Sequence, residues 1–154
     1  MNGIATFYSG APVSYDGDIV HWILSDVDND MDGYTSNDRP NVVGPWKLSP
    51  NRSRGEVVQA WFRKEAFVAN GSGQIGNVGR NVVTGPGSKN FDVGLFKRIA
   101  IRENHKVEFR CEMFNIFNFV NLANVETRLS RTNFGQVTSA GAPRILQFGL
   151  KYSF

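Results

Sequence analysis

Alternation of apolar and polar residues organises this chain. From Arg144 to the last residue, Leu146, Phe148, Leu150, Tyr152 and Phe154 fall on one side of an extended backbone. Gln147, Gly149, Lys151 and Ser153 fall on the other, together with Ile145. Successive side chains of a strand point to opposite sides, so this spacing predicts a strand with one apolar and one mostly polar face. A second strand is predicted from about His105 to Asn118. Val107, Phe109, Cys111 and Met113 make its apolar face, and Lys106, Glu108, Arg110 and Glu112 its charged face. A third runs from about Asn90 to Ile101, with Phe91, Val93, Leu95 and Lys97 on one side. Arg102-Glu103-Asn104 joins the third to the second as a tight hairpin. A fourth strand, with weaker alternation, fits Gly3 to Tyr15.

Helical patterning is almost absent, because no segment keeps apolar residues at three- and four-residue spacing over several turns. Two long connections separate the strands. Residues 16–89 are rich in Asp, Asn, Gly and Pro, and residues 119–143 in Asn, Ser, Thr and Gly. The longer is out of place as a bare loop in a compact soluble domain. Some local order is expected between Val57 and Val68, where Trp61, Phe62 and Phe67 cluster. A tight turn at one end of the strands and long loops at the other is the layout of an outer-membrane barrel.

The expected fold class is therefore all-β: antiparallel strands of a partial transmembrane outer-membrane β-barrel, about four of them, with two long loops. A soluble sandwich also alternates, so the distribution of charge matters. Glu108, Arg110 and Glu112 suit a water-filled lumen, while the opposite face stays apolar to the end of the chain. A strand of about 10 residues crosses a bilayer when tilted. Phe117, Phe119, Phe148, Tyr152 and Phe154 are expected near strand ends, where aromatic girdles lie.

Composition adds limits. With 154 residues the chain is one domain's worth of material and can bury a core without disulfides. The net charge is +3, but Lys and Arg are scattered rather than clustered, which argues against nucleic acid as a partner. Cys111 is the one cysteine, so neither an intrachain disulfide nor a cysteine metal site can form. It reads as a small apolar residue on an apolar strand face. Gly (16) and Phe (12) are abundant, as turn-rich β-structure requires. Met1 to Gly10 lack a basic start and a long apolar run, so no secretory signal is read there, and no run is long enough for a membrane helix. For an exported protein this places the true N-terminus elsewhere.

Candidate chemistry is sparse. Asp28, Asp30 and Asp32, followed by Gly33, match the start of a calcium loop, where alternate oxygens surround a hard cation. Asp26 adds a carboxylate nearby. The twelfth position from Asp28 is Arg39, where a bidentate Glu would be needed, and Asp38 lies one short. A solvated Asx-rich turn is the competing reading. Gly71, Gly73 and Gly76 spell G-x-G-x-x-G with Asp92 downstream, but Gly79, Gly85, Pro86 and Gly87 cannot continue as the helix that a dinucleotide site needs. Neither a G-x-S-x-G elbow nor an H-E-x-x-H motif is present. His21 and His105 are isolated. Glu108 and Glu112 lie about 13 Å apart at strand rise, too far for paired-carboxylate glycoside chemistry. Arg110 between them suggests a lumenal ion-pair ladder. Asn115 and Asn118 fit turn stabilisation. No enzymatic activity is expected.

Four segments carry a family resemblance: DNDMDGYTSNDRPNVVG, GNVGRNVVTGPGSKNFDVGLFKRIAI, VEFRCEMFNIFN and NFGQVTSAGAPRILQFGLKYSF. Together they resemble the C-terminal region of TonB-dependent receptors, most nearly the Oar-like branch, whose members often carry a carboxypeptidase-regulatory-like domain upstream. The resemblance covers nearly all of residues 1–154. It implies an outer-membrane, TonB-energised receptor for nutrient uptake, with about 22 strands around a plugged lumen. About four strands cannot close such a barrel, so the chain is expected to be a C-terminal fragment without plug and most strands.

In this reading residues 16–89 and 119–143 are outer loops. Leu146, Phe148, Leu150, Tyr152 and Phe154 face outer-membrane lipid and form the signal read by the barrel-assembly machinery. Glu108, Arg110 and Glu112 face the lumen. The remaining strands and plug are partners, and TonB is reached only through the missing N-terminal part. The rival is a small soluble or secreted β-domain binding a ligand or calcium through its Asp-rich loop. A small pore built from several copies is a third, weaker reading.

Overall fold

The computed structural model describes residues 1–12, 23–34 and 38–154. His21 and the end of the expected Gly3–Tyr15 strand lie outside the described residues. In chain order the elements are β1 (Asn2–Tyr8), β2 (Asn41–Val42), helix α1 (Arg54–Gln59), a 3-10 turn (Lys64–Ala66), β3 (Phe67–Val68), β4 (Ser88–Arg102), β5 (His105–Phe114), β6 (Leu122–Val125), β7 (Val137–Ala140) and β8 (Ile145–Ser153). The fold is all-β, and no described helix is long and apolar enough to cross a membrane. The chain divides into two compact units.

The first unit comprises Met1–Ser9, Gly87–Asn121 and Ala140–Phe154. It is one antiparallel sheet in the order β1-β4-β5-β8. Each of these strands pairs with the one before it in the meander. Only Glu103 and Asn104 separate β4 from β5, so the expected tight hairpin is present. At the opposite end Tyr8 pairs with Ser88, and Phe114 with Ile145. Both long connections therefore leave the sheet at the end away from the hairpin.

Two strands are shorter than the alternation suggests. The first ends at Tyr8, and Pro12 makes only an isolated bridge to Thr84. Proline has no N–H for a ladder, and Gly10 sits at φ +92 with no room for a Cβ against the Gly85 carbonyl. The second stops at Phe114 rather than Asn118. Asn115 and Asn118 take φ 50 and 54, the left-handed region that Asn tolerates better than most residues. Asn115 then ties the turn together: its amide donates to the carbonyls of Phe119 and Ala142 and its Oδ1 accepts from Phe119 N. Asn118 Oδ1 accepts from Arg144 N, just before β8 begins. Both asparagines thus have the turn role that their position suggests.

The second unit comprises Gly10–Pro86 and Leu122–Ser139. The two connections expected as separate loops thus share one folded body. Its core holds Ile23, Phe62, Ala66, Phe67, Val78, Val83, Val125, Phe134 and Val137. The rings of Phe62, Phe67 and Phe134 meet edge to face, with centroids 5.2 to 6.0 Å apart. β2 pairs with β3, and β6 with β7. Leu24 docks on the segment after β6 as a parallel bridge to Arg128, its N–H donating to Thr127 O and its carbonyl accepting from Leu129 N. The local order expected around Trp61, Phe62 and Phe67 is α1, the 3-10 turn and β3. The helix starts where Ser53 Oγ accepts from Glu56 N and Glu56 Oε2 accepts from Ser53 N, a reciprocal capping box. Arg52 ends it by donating to the carbonyls of Glu56 and Ala60.

Candidate functional site

The register of the sheet sorts its side chains into two faces. Val107, Phe109, Cys111 and Met113 of β5 pair with Tyr152, Leu150, Phe148 and Leu146 of β8 on one side. On the other side they pair with Ile99, Lys97, Leu95 and Val93 of β4. Directly opposed residues point the same way, so these form one apolar face, extended on β4 by Phe91 and on β1 by Ala5 and Phe7. Lys97 is an exception within it. Apolar residues normally leave water, yet Leu146, Phe148, Leu150 and Tyr152 are 51%, 64%, 76% and 53% exposed. Cys111 is buried between neighbouring strands, as a small apolar residue would be.

Aromatic rings close this face at both ends. Near the long connections Phe91 packs edge to face on Phe7 at 5.3 Å and on Phe117 at 5.1 Å, with Phe119 at 6.2 Å. Near the hairpin His105 stacks on Tyr152 at 5.8 Å, and Tyr152 lies 5.9 Å from Phe154. Phe148 departs from the expected girdle: it stacks on Phe109 in the middle of the strands, opposite Cys111. Nine residues of β8 at about 3.4 Å each, tilted by about 40°, rise about 23 Å. That is close to the ~25 Å apolar band of outer-membrane barrels.

The opposite face carries the charged residues, interrupted by Phe96 and, at the end away from the hairpin, by Phe114 and Ile145. Glu108 lies across from Arg98 and Lys151, Arg110 across from Phe96 and Gly149, and Glu112 across from Gly94 and Gln147. Glu108 is the hub: its Oε2 accepts from Arg98 Nε at 2.6 Å and its Oε1 from Arg110 Nε. The ion-pair ladder is therefore Arg98–Glu108–Arg110. The sequence pattern did not single out Arg98, and pairing it with Glu108 needs the register. Asp92 belongs to the backbone of this unit, accepting from Asn115 N and the Asn90 amide. Gly71 to Gly76 form a turn and no helix, consistent with the rejected dinucleotide motif.

The Asp-rich segment belongs to the second unit. One carboxylate oxygen from each of Asp28, Asp30 and Asp32 lies within 4.8 Å of the others. The loop is tied by its own amides: Gly33 N donates to Asp28 Oδ2, Asp32 N to Asp30 Oδ1 and Tyr34 N to Asp32 Oδ1. Asp26 turns away, its Oδ2 accepting from Ser130 Oγ at 2.6 Å with Arg131 beyond. Sequence spacing overlooked the state of Asp38, which is only 1% exposed. Its Oδ1 accepts from Asp30 N, while its Oδ2 is buried without a hydrogen-bond partner, as is Asp28 Oδ1. Burial pushes the Asp38 carboxyl above its usual range, and the neighbouring charges of Asp30 and Asp28 add to the shift. A hard cation with oxygen ligands suits such a carboxylate set.

The second unit also holds a cleft of about 590 Å³, lined in part by Trp46, Pro50, Arg52, Val57, Trp61 and Val82. Trp61 is held in its wall by an indole N–H to Thr84 O bond of 2.8 Å.

No curated protein and no solved structure matches the chain. A family model described as an outer membrane beta barrel domain matches residues 1–147, almost the whole sequence. That match agrees with the two-faced antiparallel sheet, and it locates the chain in the bacterial outer membrane as barrel wall. The chain belongs to the outer membrane beta barrel domain family.

Proposed function

We propose that this barrel wall belongs to a TonB-energised receptor that takes up a nutrient across the outer membrane. The observation that carries the reading is the four-stranded meander with one exposed apolar face, ringed by aromatics, and one charged face. In a barrel wall the apolar face meets lipid and the Arg98–Glu108–Arg110 ladder meets the lumen. Among the described residues β1 and β8 each pair on one side only. Unpaired edges are unfavourable in lipid, and further strands of a larger barrel satisfy them. The hairpin at Glu103–Asn104 is then periplasmic, and residues 10–86 and 122–139 belong to the outer side, where a substrate arrives. The four sequence segments that resemble Oar-like receptors supply the TonB part of the reading. On a small soluble domain the same apolar face would be an aggregation surface.

The test is a protease experiment on intact cells with an antibody against residues 144–154. The antibody should detect an outer-membrane band well above 17.2 kDa, and mass spectrometry of that band should find plug-domain peptides. Protease should cut within residues 10–86 and spare 102–104. A band of the chain's own size in a soluble or secreted fraction would overturn the reading in favour of the small β-domain. Cleavage at 102–104 in intact cells would reverse the topology.

A further inference from the structure

The Asp-rich loop of the second unit holds an electrostatic problem that its own residues leave open. Asp38 is 1% exposed, and its Oδ2 meets no donor. Asp28 Oδ1 is likewise buried and without a partner. Asp38 lies beside the Asp28–Asp30–Asp32 triplet, its Oδ1 accepting from Asp30 N. Buried carboxylate oxygens without partners are strongly unfavourable unless a cation or donor meets them. The charges of Asp30 and Asp28 work against the Asp38 carboxylate, while the backbone amides of Asp30 and Asn29 favour it.

The geometry also states what would fit. Calcium binds oxygens at about 2.3–2.6 Å, so two ligands on opposite sides of one ion are about 4.6–5.2 Å apart. One carboxylate oxygen from each of Asp28, Asp30 and Asp32 lies within 4.8 Å of the others, the spread that a single coordination sphere allows. In Asp28 and Asp38, one oxygen is spent on a backbone amide and the other is left over. Gly33, at φ +89 with open space around it, makes the turn that brings the three together.

We propose that Asp28, Asp30 and Asp32 hold one calcium ion, with the buried Asp38 carboxylate closing the acidic set behind them. Calcium suits the site better than magnesium, which demands near-ideal octahedral geometry and keeps most of its water. The ion would tie the Asp-rich loop to the second unit. Asn29 already binds Ser25 and Asn70 there, and Ser25 N donates to Asp38 O. The inference is independent of the TonB reading, since it concerns the second unit alone.

The experiment uses the full chain, refolded in detergent and stripped of metal with a chelator. Isothermal titration should find one calcium per chain, with a dissociation constant of about 10⁻³ M or tighter and weaker binding of magnesium. Asp32→Asn changes an exposed carboxylate and should leave the fold intact, yet weaken calcium binding at least tenfold, to order of magnitude (~10×). Asp38→Asn should weaken it as well. Asp26→Asn should leave affinity within about twofold, because Asp26 is engaged with Ser130 and Arg131. Calcium at ten times the dissociation constant should slow proteolysis of the second unit roughly tenfold, since ligand bound to the folded form suppresses opening in that proportion. Absence of binding at millimolar calcium would overturn the proposal. So would an Asp32→Asn chain that binds as tightly as the parent, or an Asp26→Asn chain that loses as much as Asp32→Asn.

Discussion

Replacing Leu150 by Arg is expected to cost the barrel about 2–4 kcal/mol, while Lys151→Ala should change it by less than about 0.5 kcal/mol. The two residues are adjacent, and only the face differs. Leu150 is 76% exposed on the apolar face and lies across from Phe109, next to the midpoint of β8. Lys151 faces the other way, across from Glu108. In lipid a guanidinium at mid-depth loses its hydration and must reach for a headgroup, which is the source of the cost. In water the same substitution would relieve an exposed apolar side chain and cost almost nothing. The sign of the difference therefore reports the solvent of this face. The measurement is equilibrium urea unfolding of the lipid-reconstituted parent barrel, with both variants compared at constant m. Equal, small effects would remove lipid from the apolar face and return the sheet to water.

Lys97 sharpens the same argument. It lies on the apolar face, on the far side of Phe109 from Leu150. Strand tilt sets residues of one hydrogen-bonded row at different depths, and a lysine stem can lie along apolar surface while its amine reaches polar ground. A second cation two strands away would add repulsion to the cost of Arg at position 150. Lys97→Leu should accordingly leave stability unchanged or raise it.

The sheet was legible in the sequence because its side chains obey a local rule. Period-two alternation placed Leu146, Phe148, Leu150 and Tyr152 on one face and Glu108, Arg110 and Glu112 on another, and the register keeps both sets together. Strand ends were less legible. The expected strand runs on to Asn118, but Phe114 and Ile116 already fall on the parity of the charged face, and the left-handed backbone at Asn115 ends the strand. The paired asparagines were the available sign. The second unit was barely legible. Val78, Phe134 and Val137 stand singly among polar residues and glycine, with no period to link them to Ile23 or Val83, and their core joins segments of both connections. Contacts so distant in sequence leave no local pattern. Its helix did leave one, since Ser53-x-x-Glu56 is a capping box. The Asp triplet was readable, whereas the burial of Asp38 depends on neighbours that only the fold supplies.

Phe62→Ala is expected to cost the second unit about 3–5 kcal/mol and to leave the sheet of the first unit nearly untouched. Phe62 is 2% exposed, and its ring centroid lies 5.2 Å from those of both Phe67 and Phe134. A Cβ built on Gly135 would sit 3.2 Å from the same ring, so the wall around it is close-packed. Removing the ring leaves a cavity that two fixed aromatics cannot collapse into, which puts the cost near the upper part of the large-to-small range. Hydrogen exchange separates the two units. Leu24 N, Trp61 N and Glu126 N donate to Thr127 O, Gly135 O and Gln136 O inside the second unit. Their exchange should accelerate by more than about a hundredfold, since each 1.4 kcal/mol is a factor of ten. Ladder amides between β4 and β5 should keep their rates. Unchanged exchange at Leu24, Trp61 and Glu126 would mean that the connections behave as ordinary loops without a shared core. Equal acceleration in β4 and β5 would mean that the two units open together, and that the division between them has no energetic counterpart.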